Sequence, residues 1–186
     1  MVNESPAISA TKVWVEQVIV KLNFCPFAKK EVLNQSIRYC DIAQPSTQVE
    51  LTSVLHQEII YLNENRQTET TLIIVSKGLE SFFDYLDVLD KFEDWIDDNQ
   101  YRGIYQIASF HPDYCFEDEH YDAPSNYTNR SPYPVFHLLR EDSLEKAIAS
   151  YKHPELIPQN NINKANDMGS SALKELLKRC FQSPQC

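Results

Sequence analysis

Apolar positions Trp14, Val15, Val18, Ile19 and Leu22 recur at the three- and four-residue spacing of one helix face. With Ser9 and Thr11 ahead of them as candidate caps, they predict an amphipathic helix over 11–22 that Asn23 ends. Pro26 suits the first turn of a second, short helix from Phe27 to Leu33, because the N–H that proline lacks has no helical partner there. The period then changes. Ile37 to Ala43 reads as a strand, and Gln44, Pro45 and Ser46 break it before a helix over 48–64 with an inward stripe of Leu51, Val54, Leu55, Ile59 and Leu62. Thr70 to Ser76 is a β-branched apolar run of the kind buried on both faces of a sheet, and Gly78 closes it.

From 80 to 98 the chain sets Phe82, Leu86, Leu89, Phe92, Trp95 and Ile96 against Asp84, Asp87, Asp90, Glu93, Asp94, Asp97 and Asp98. This predicts an amphipathic helix with an acidic face, read either as a solvated surface or as one that meets a basic partner. Gly103 leads into a third strand, Ile104 to Phe110, and a Pro-rich, turn-rich segment separates it from a fourth, Val135 to Arg140. A short helix over Ser143 to Tyr151, a polar connection through Pro158 and Asn163, and a last helix over Ala172 to Phe181 complete the chain. The pattern predicts an α/β fold: a single-domain sandwich over 1–186, with about four mixed strands, flanking helices and frayed termini. A helix between the first two strands favours a parallel, right-handed crossover, while the intervals leave strand order open.

A length of 186 residues agrees with one domain that has a substantial core. With only three glycines, Gly78, Gly103 and Gly169, the chain has neither a Walker A loop nor a Rossmann fingerprint, each of which needs several close glycines. Twenty-seven acidic against seventeen basic residues give a formal charge of −10, which opposes binding to nucleic acid or to an anionic membrane. Neither a signal-peptide pattern nor an apolar run of about twenty residues is present, so a soluble, cytoplasmic protein is expected. Cysteines 25, 40, 115, 180 and 186 are odd in number and lack a CxxC pair, and they read as free thiols.

The densest polar constellation runs from His111 to Glu141. His111 and Asp113 follow the third strand, and His137 lies on the fourth, so the three can act as acid–base groups or as ligands to a divalent metal such as zinc, manganese or iron. Equally, the histidines can be hydrogen-bonded structural residues. Arg130 and Arg140 offer guanidinium forks to an anionic small molecule, and Asn126 and Asn129 can orient it, although ion pairing or helix capping explains Arg140 as well. His56 and His153 look peripheral. Cys25, at a helix start, is a candidate nucleophile with a stabilised thiolate, or else a small buried thiol. The string Cys25-Pro26-Phe27-Ala28 is like a glutaredoxin CPxC site that has lost its second cysteine, but a helix rather than a strand precedes it.

Four longer strings are distinctive: Asn23 to Ala28, Tyr105 to Tyr114, Asn126 to Pro134 and His137 to Ser143. Through them the chain resembles, over nearly its whole length, a bacterial family known as a domain of unknown function, DUF1415. The resemblance implies that these segments carry the family's signature, and it brings no assigned activity, substrate or cofactor. Two functions are therefore carried forward. One is a small-molecule enzyme that uses the His/Asp/Arg site on an anionic metabolite, with or without a metal. The other is a non-catalytic protein-binding or adaptor module that presents the acidic helix and the aromatic loop.

Overall fold

A computed structural model gives the fold; it describes residues 4–45 and 47–182, so Ser46 and Cys186 lie outside the described residues. Four strands form one mixed sheet: β1 (Ile37–Ile42), β2 (Thr70–Val75), β3 (Tyr105–Phe110) and β4 (Val135–Arg140), in the order β1-β2-β4-β3. β1 and β2 pair in parallel from Ile37↔Thr70 to Ile42↔Val75, and β4 runs antiparallel to both β2 and β3. β3 therefore points the same way as β1 and β2, and all three strands end at one end of the sheet. β2 is buried along its full length, which is why its Thr-Thr-Leu-Ile-Ile-Val run does not alternate.

Helices cover both faces. α3 (Gln48–Glu64) and α4 (Phe82–Asp98) pack Leu51, Leu55, Ile59, Val88 and Phe92 against Ile73, Val75, Phe136 and Leu138. On the opposite face Trp14, Val18 and Ile19 meet Leu72, Ile74 and Val135, joined by Ala165 and Leu173. These come from α1 (Pro6–Trp14), the π-helical turn Val15–Val20 that continues it, α6 (Ile157–Met168) and α7 (Ser170–Arg179). Short α2 (Ala28–Leu33) and α5 (Glu141–Ser150) complete the set of α-helices among the described residues.

Local chemistry explains where these elements depart from the sequence pattern. α1 starts earlier than expected because Ser5 accepts from the Ile8 N–H at 3.2 Å and Pro6 takes the first turn. The deepest positions of α4 are Tyr85, Val88, Phe92 and Ile96, rotated from the predicted stripe, with Phe82, Leu86 and Leu89 only partly buried. Tyr85 is drawn inward because its hydroxyl donates to the Val135 carbonyl at 2.8 Å and accepts from the Phe110 N–H at 3.1 Å, bridging the two strands where β3 ends and β4 begins. The expected polar connection is α6 instead, a helix poor in apolar residues that is held by tertiary bonds: Asn161 Nδ2 donates to the Phe24 carbonyl at 2.6 Å, and Lys164 Nζ to the Leu22 carbonyl at 2.8 Å.

Candidate functional site

The 111–134 connection folds over the end of the sheet where β1, β2 and β3 stop, and its conspicuous side chains hold that fold together. His111 is fully buried against Phe82 and Tyr85, with ring centroids 5.3 and 5.2 Å away. Its Nδ1 accepts from the Asp113 N–H at 3.0 Å, which puts the ring proton on Nε2, 2.9 Å from the Leu79 carbonyl that accepts it. Burial pushes its pKa below the usual imidazole value. Asp113 meets this imidazole through its backbone N–H, while its exposed carboxylate accepts from the Tyr121 hydroxyl at 2.6 Å.

Asn126 and Arg130 are likewise committed to backbone. Asn126, fully buried, accepts from the Phe116 N–H at 3.0 Å and donates to the carbonyls of His120 and Tyr121 at 2.9 and 3.1 Å. Arg130 is 5% exposed; it donates to the Tyr114 carbonyl at 3.1 Å and the Tyr121 carbonyl at 2.7 Å, and its guanidinium lies 4.6 Å from the ring centres of both Tyr121 and Tyr127. Asn129 ties the segment to β3 by donating to the Ser109 carbonyl at 3.2 Å.

His137 is not part of this cluster. Successive strand residues face opposite sides of a sheet: Phe136 stacks on Tyr85 on the α4 side, whereas His137 turns to the α1 side beside Phe110. The two imidazoles therefore sit on opposite faces, and the structure does not bring His111, Asp113 and His137 to one centre. Among the described residues no three His, Cys, Asp or Glu side chains are grouped so as to hold a metal ion. Thr70 Oγ1 donates to the Leu138 carbonyl at 2.6 Å and so accepts from His137 Nε2 at 2.7 Å, and burial pulls the His137 pKa down to about 4. Arg140 also lies apart, at the far end of β4, where it donates to the Leu62 and Thr68 carbonyls and to the Tyr105 hydroxyl. Cys25 is packed with the apolar residues of the α1 face, and burial raises its pKa, outweighing the backbone N–H groups of Phe27 and Ala28 that lower it. A stabilised thiolate is thus replaced by the protonated, part-buried thiol.

An open groove lies elsewhere, between α4 and β3. This groove of about 700 Å³ is lined by Asp90, Glu93, Asp94 and Asp97 of α4, by Glu141, and by Tyr105, Gln106 and Ile107 of β3. The α4 carboxylates recur at helical spacing, so they form one stripe along the groove wall. Arg102 is the groove's basic residue, and its Nε and Nη2 donate to the Asp97 carboxylate. Partial desolvation by the groove, with smaller contributions from the charges of Asp90, Asp97 and Asp94, raises the pKa of Glu93. The sequence pattern exposes the acidic face of α4 but not its neighbour, because only the strand order makes β3 an edge.

Fold and surface together define a three-layer α/β protein with a mixed four-stranded sheet, an internally bonded connection over one end and an acidic groove beside an edge strand. The chain belongs to the DUF1415 family, described as a protein family of unknown function, whose model matches residues 6–175. No curated protein and no solved structure matches it. Among the described residues no helix is long and apolar enough to cross a membrane.

Proposed function

We propose that the protein is a non-catalytic binding module that engages a positively charged partner in the groove between α4 and β3. The observation that carries this reading is the groove itself: its size, its five carboxylates and its single, already paired arginine. An enzyme acting on an anionic metabolite needs polar groups free to meet a substrate, and His111, Asn126 and Arg130 are already bonded to loop backbone. A basic partner would relieve the carboxylate repulsion along α4 and would be steered toward a chain of formal charge −10.

The test compares two triple variants with equal charge change. Asp90→Asn, Glu93→Gln and Asp94→Asn neutralise the groove wall, whereas Glu117→Gln, Asp118→Asn and Glu119→Gln neutralise an exposed part of the 111–134 connection. Binding of a fluorescent oligolysine peptide, read by anisotropy at low salt, is expected to weaken about tenfold or more in the groove variant and to change little in the other. Equal weakening in both would mean that only net charge matters and would contradict the reading.

A further inference from the structure

The outer side of β3 carries no strand among the described residues, and the hydrogen-bond pattern shows which of its peptide groups face outward. In an antiparallel pair, alternate residues turn their N–H and C=O toward the neighbour. The Glu141 N–H donates to the Ile104 carbonyl at 3.0 Å, so residues 104, 106, 108 and 110 turn toward β4, and 105, 107 and 109 turn away from it. Two of the outward groups are met within the chain: the Tyr105 N–H by the Tyr101 carbonyl at 3.0 Å, and the Ser109 carbonyl by Asn129. The Tyr105 carbonyl, both polar groups of Ile107 and the Ser109 N–H remain on the open edge. They are spaced as one added strand would need them, and the groove lies alongside.

We infer that the partner of this groove is an extended peptide segment that adds antiparallel to β3 as a fifth strand, with basic residues at every second position. The inference rests on the basic-partner reading above and specifies its conformation and sequence pattern. Residues opposite one another on paired strands face the same side. Ile107 and Tyr105 pack with the α3 and α4 core, so partner residues opposite them point toward the stripe of Asp90, Glu93, Asp94 and Asp97. Those positions take Lys or Arg. The alternate positions lie on the side of exposed Gln106 and half-buried Ala108, where small or apolar side chains fit. Main-chain bonds supply affinity and the alternating side chains supply selectivity. A second copy of this chain is a poor occupant, since pairing two β3 edges would bring two carboxylate stripes together.

The pattern gives a parity test on the full chain. The probe is a fluorescent peptide of alternating Lys and Val, beginning and ending with Lys, together with two versions carrying backbone N-methyl groups either at the internal lysines or at the valines. In the added strand the lysine N–H groups face β3 and the valine N–H groups face away. Methylation at the lysines should weaken binding about tenfold or more, and methylation at the valines by less than about threefold. If both methylated peptides bind like the parent and all lose affinity in the groove variant, the groove takes basic partners but strand addition is overturned. If the parent peptide does not bind at low salt, the basic-partner reading itself falls.

Discussion

His111, Asn126 and Arg130 of the 111–134 connection carry the richest side-chain chemistry in the chain, and their polar groups are turned inward to that segment's own backbone. Ile107 on β3 has no side-chain chemistry at all, yet its peptide group faces the open edge of the sheet beside a row of carboxylates. A long connection costs conformational entropy to order, and buried side-chain bonds to its backbone offset that cost and satisfy carbonyls that would otherwise be stranded. An edge strand has the reverse condition, with strong hydrogen-bonding groups and no neighbour. Availability, more than residue type, separates a candidate binding surface from a structural one.

Breaking the connection should have the largest effect. Arg130→Ala strands the Tyr114 carbonyl, leaves the Tyr121 carbonyl to Asn126 alone and empties the space beside the Tyr121 and Tyr127 rings, so a loss of about 3 kcal/mol is expected in urea unfolding. Asp113→Asn, at an exposed carboxylate, should cost less than about 1 kcal/mol on the same measurement. Were Arg130 a substrate clamp rather than a tie, the two variants would be equally stable.

The histidines give an intermediate effect with a definite sign. His137 has a folded pKa of about 4, below the roughly 6.5 of an unfolded imidazole. The unfolded chain therefore takes up more protons as pH falls. This contribution to stability is fully present above about pH 6.5 and is lost progressively as pH falls toward 4. His137→Gln keeps a donor for Thr70 and does not titrate. It should reduce the acid loss of stability over that window by on the order of 2 kcal/mol, read from urea midpoints at pH 7 and pH 4.5. His111 contributes in the same direction, since burial lowers its pKa as well.

Neutralising the groove should have the smallest effect on folding. Asp90, Glu93 and Asp94 are exposed and repel one another along α4, so the groove triple variant should unfold within about 0.5 kcal/mol of the native chain or be slightly more stable. The contrast with its expected loss of peptide binding sharpens the comparison: one region holds the fold, and the other is dispensable to it.

Much of the fold was legible in the sequence, because each strand and long helix has a period that burial enforces. Residues 48–64 and Val135 to Arg140 are found with the predicted bounds, and the helix between β1 and β2 does join parallel strands. α6 was not legible: Asn160, Asn161, Asn163 and Asn166 are weak helix formers, and the bonds to Leu22 and Phe24 that hold it come from distant parts of the chain. The sequence also marked the 111–134 segment as special without giving its role. Asn and Arg donate to substrate oxygens and to backbone carbonyls with the same groups, and only the folded geometry separates the two. The shared histidine centre failed for a similar reason, since neighbouring strands bring residues close in register without setting which face each occupies until the register is known. The open edge had no local signal, because β3 becomes an edge only through the order β1-β2-β4-β3.

The most direct measurement is residue-resolved amide hydrogen exchange along β3, with and without the alternating Lys-Val peptide. In the free protein the Ile107 and Ser109 amides should exchange faster than those of Gln106 and Ala108, which donate to β4, and saturating peptide should slow Ile107 and Ser109 selectively. Uniform protection along β3 in the free protein, or unchanged exchange at Ile107 and Ser109 with peptide bound, would contradict the account.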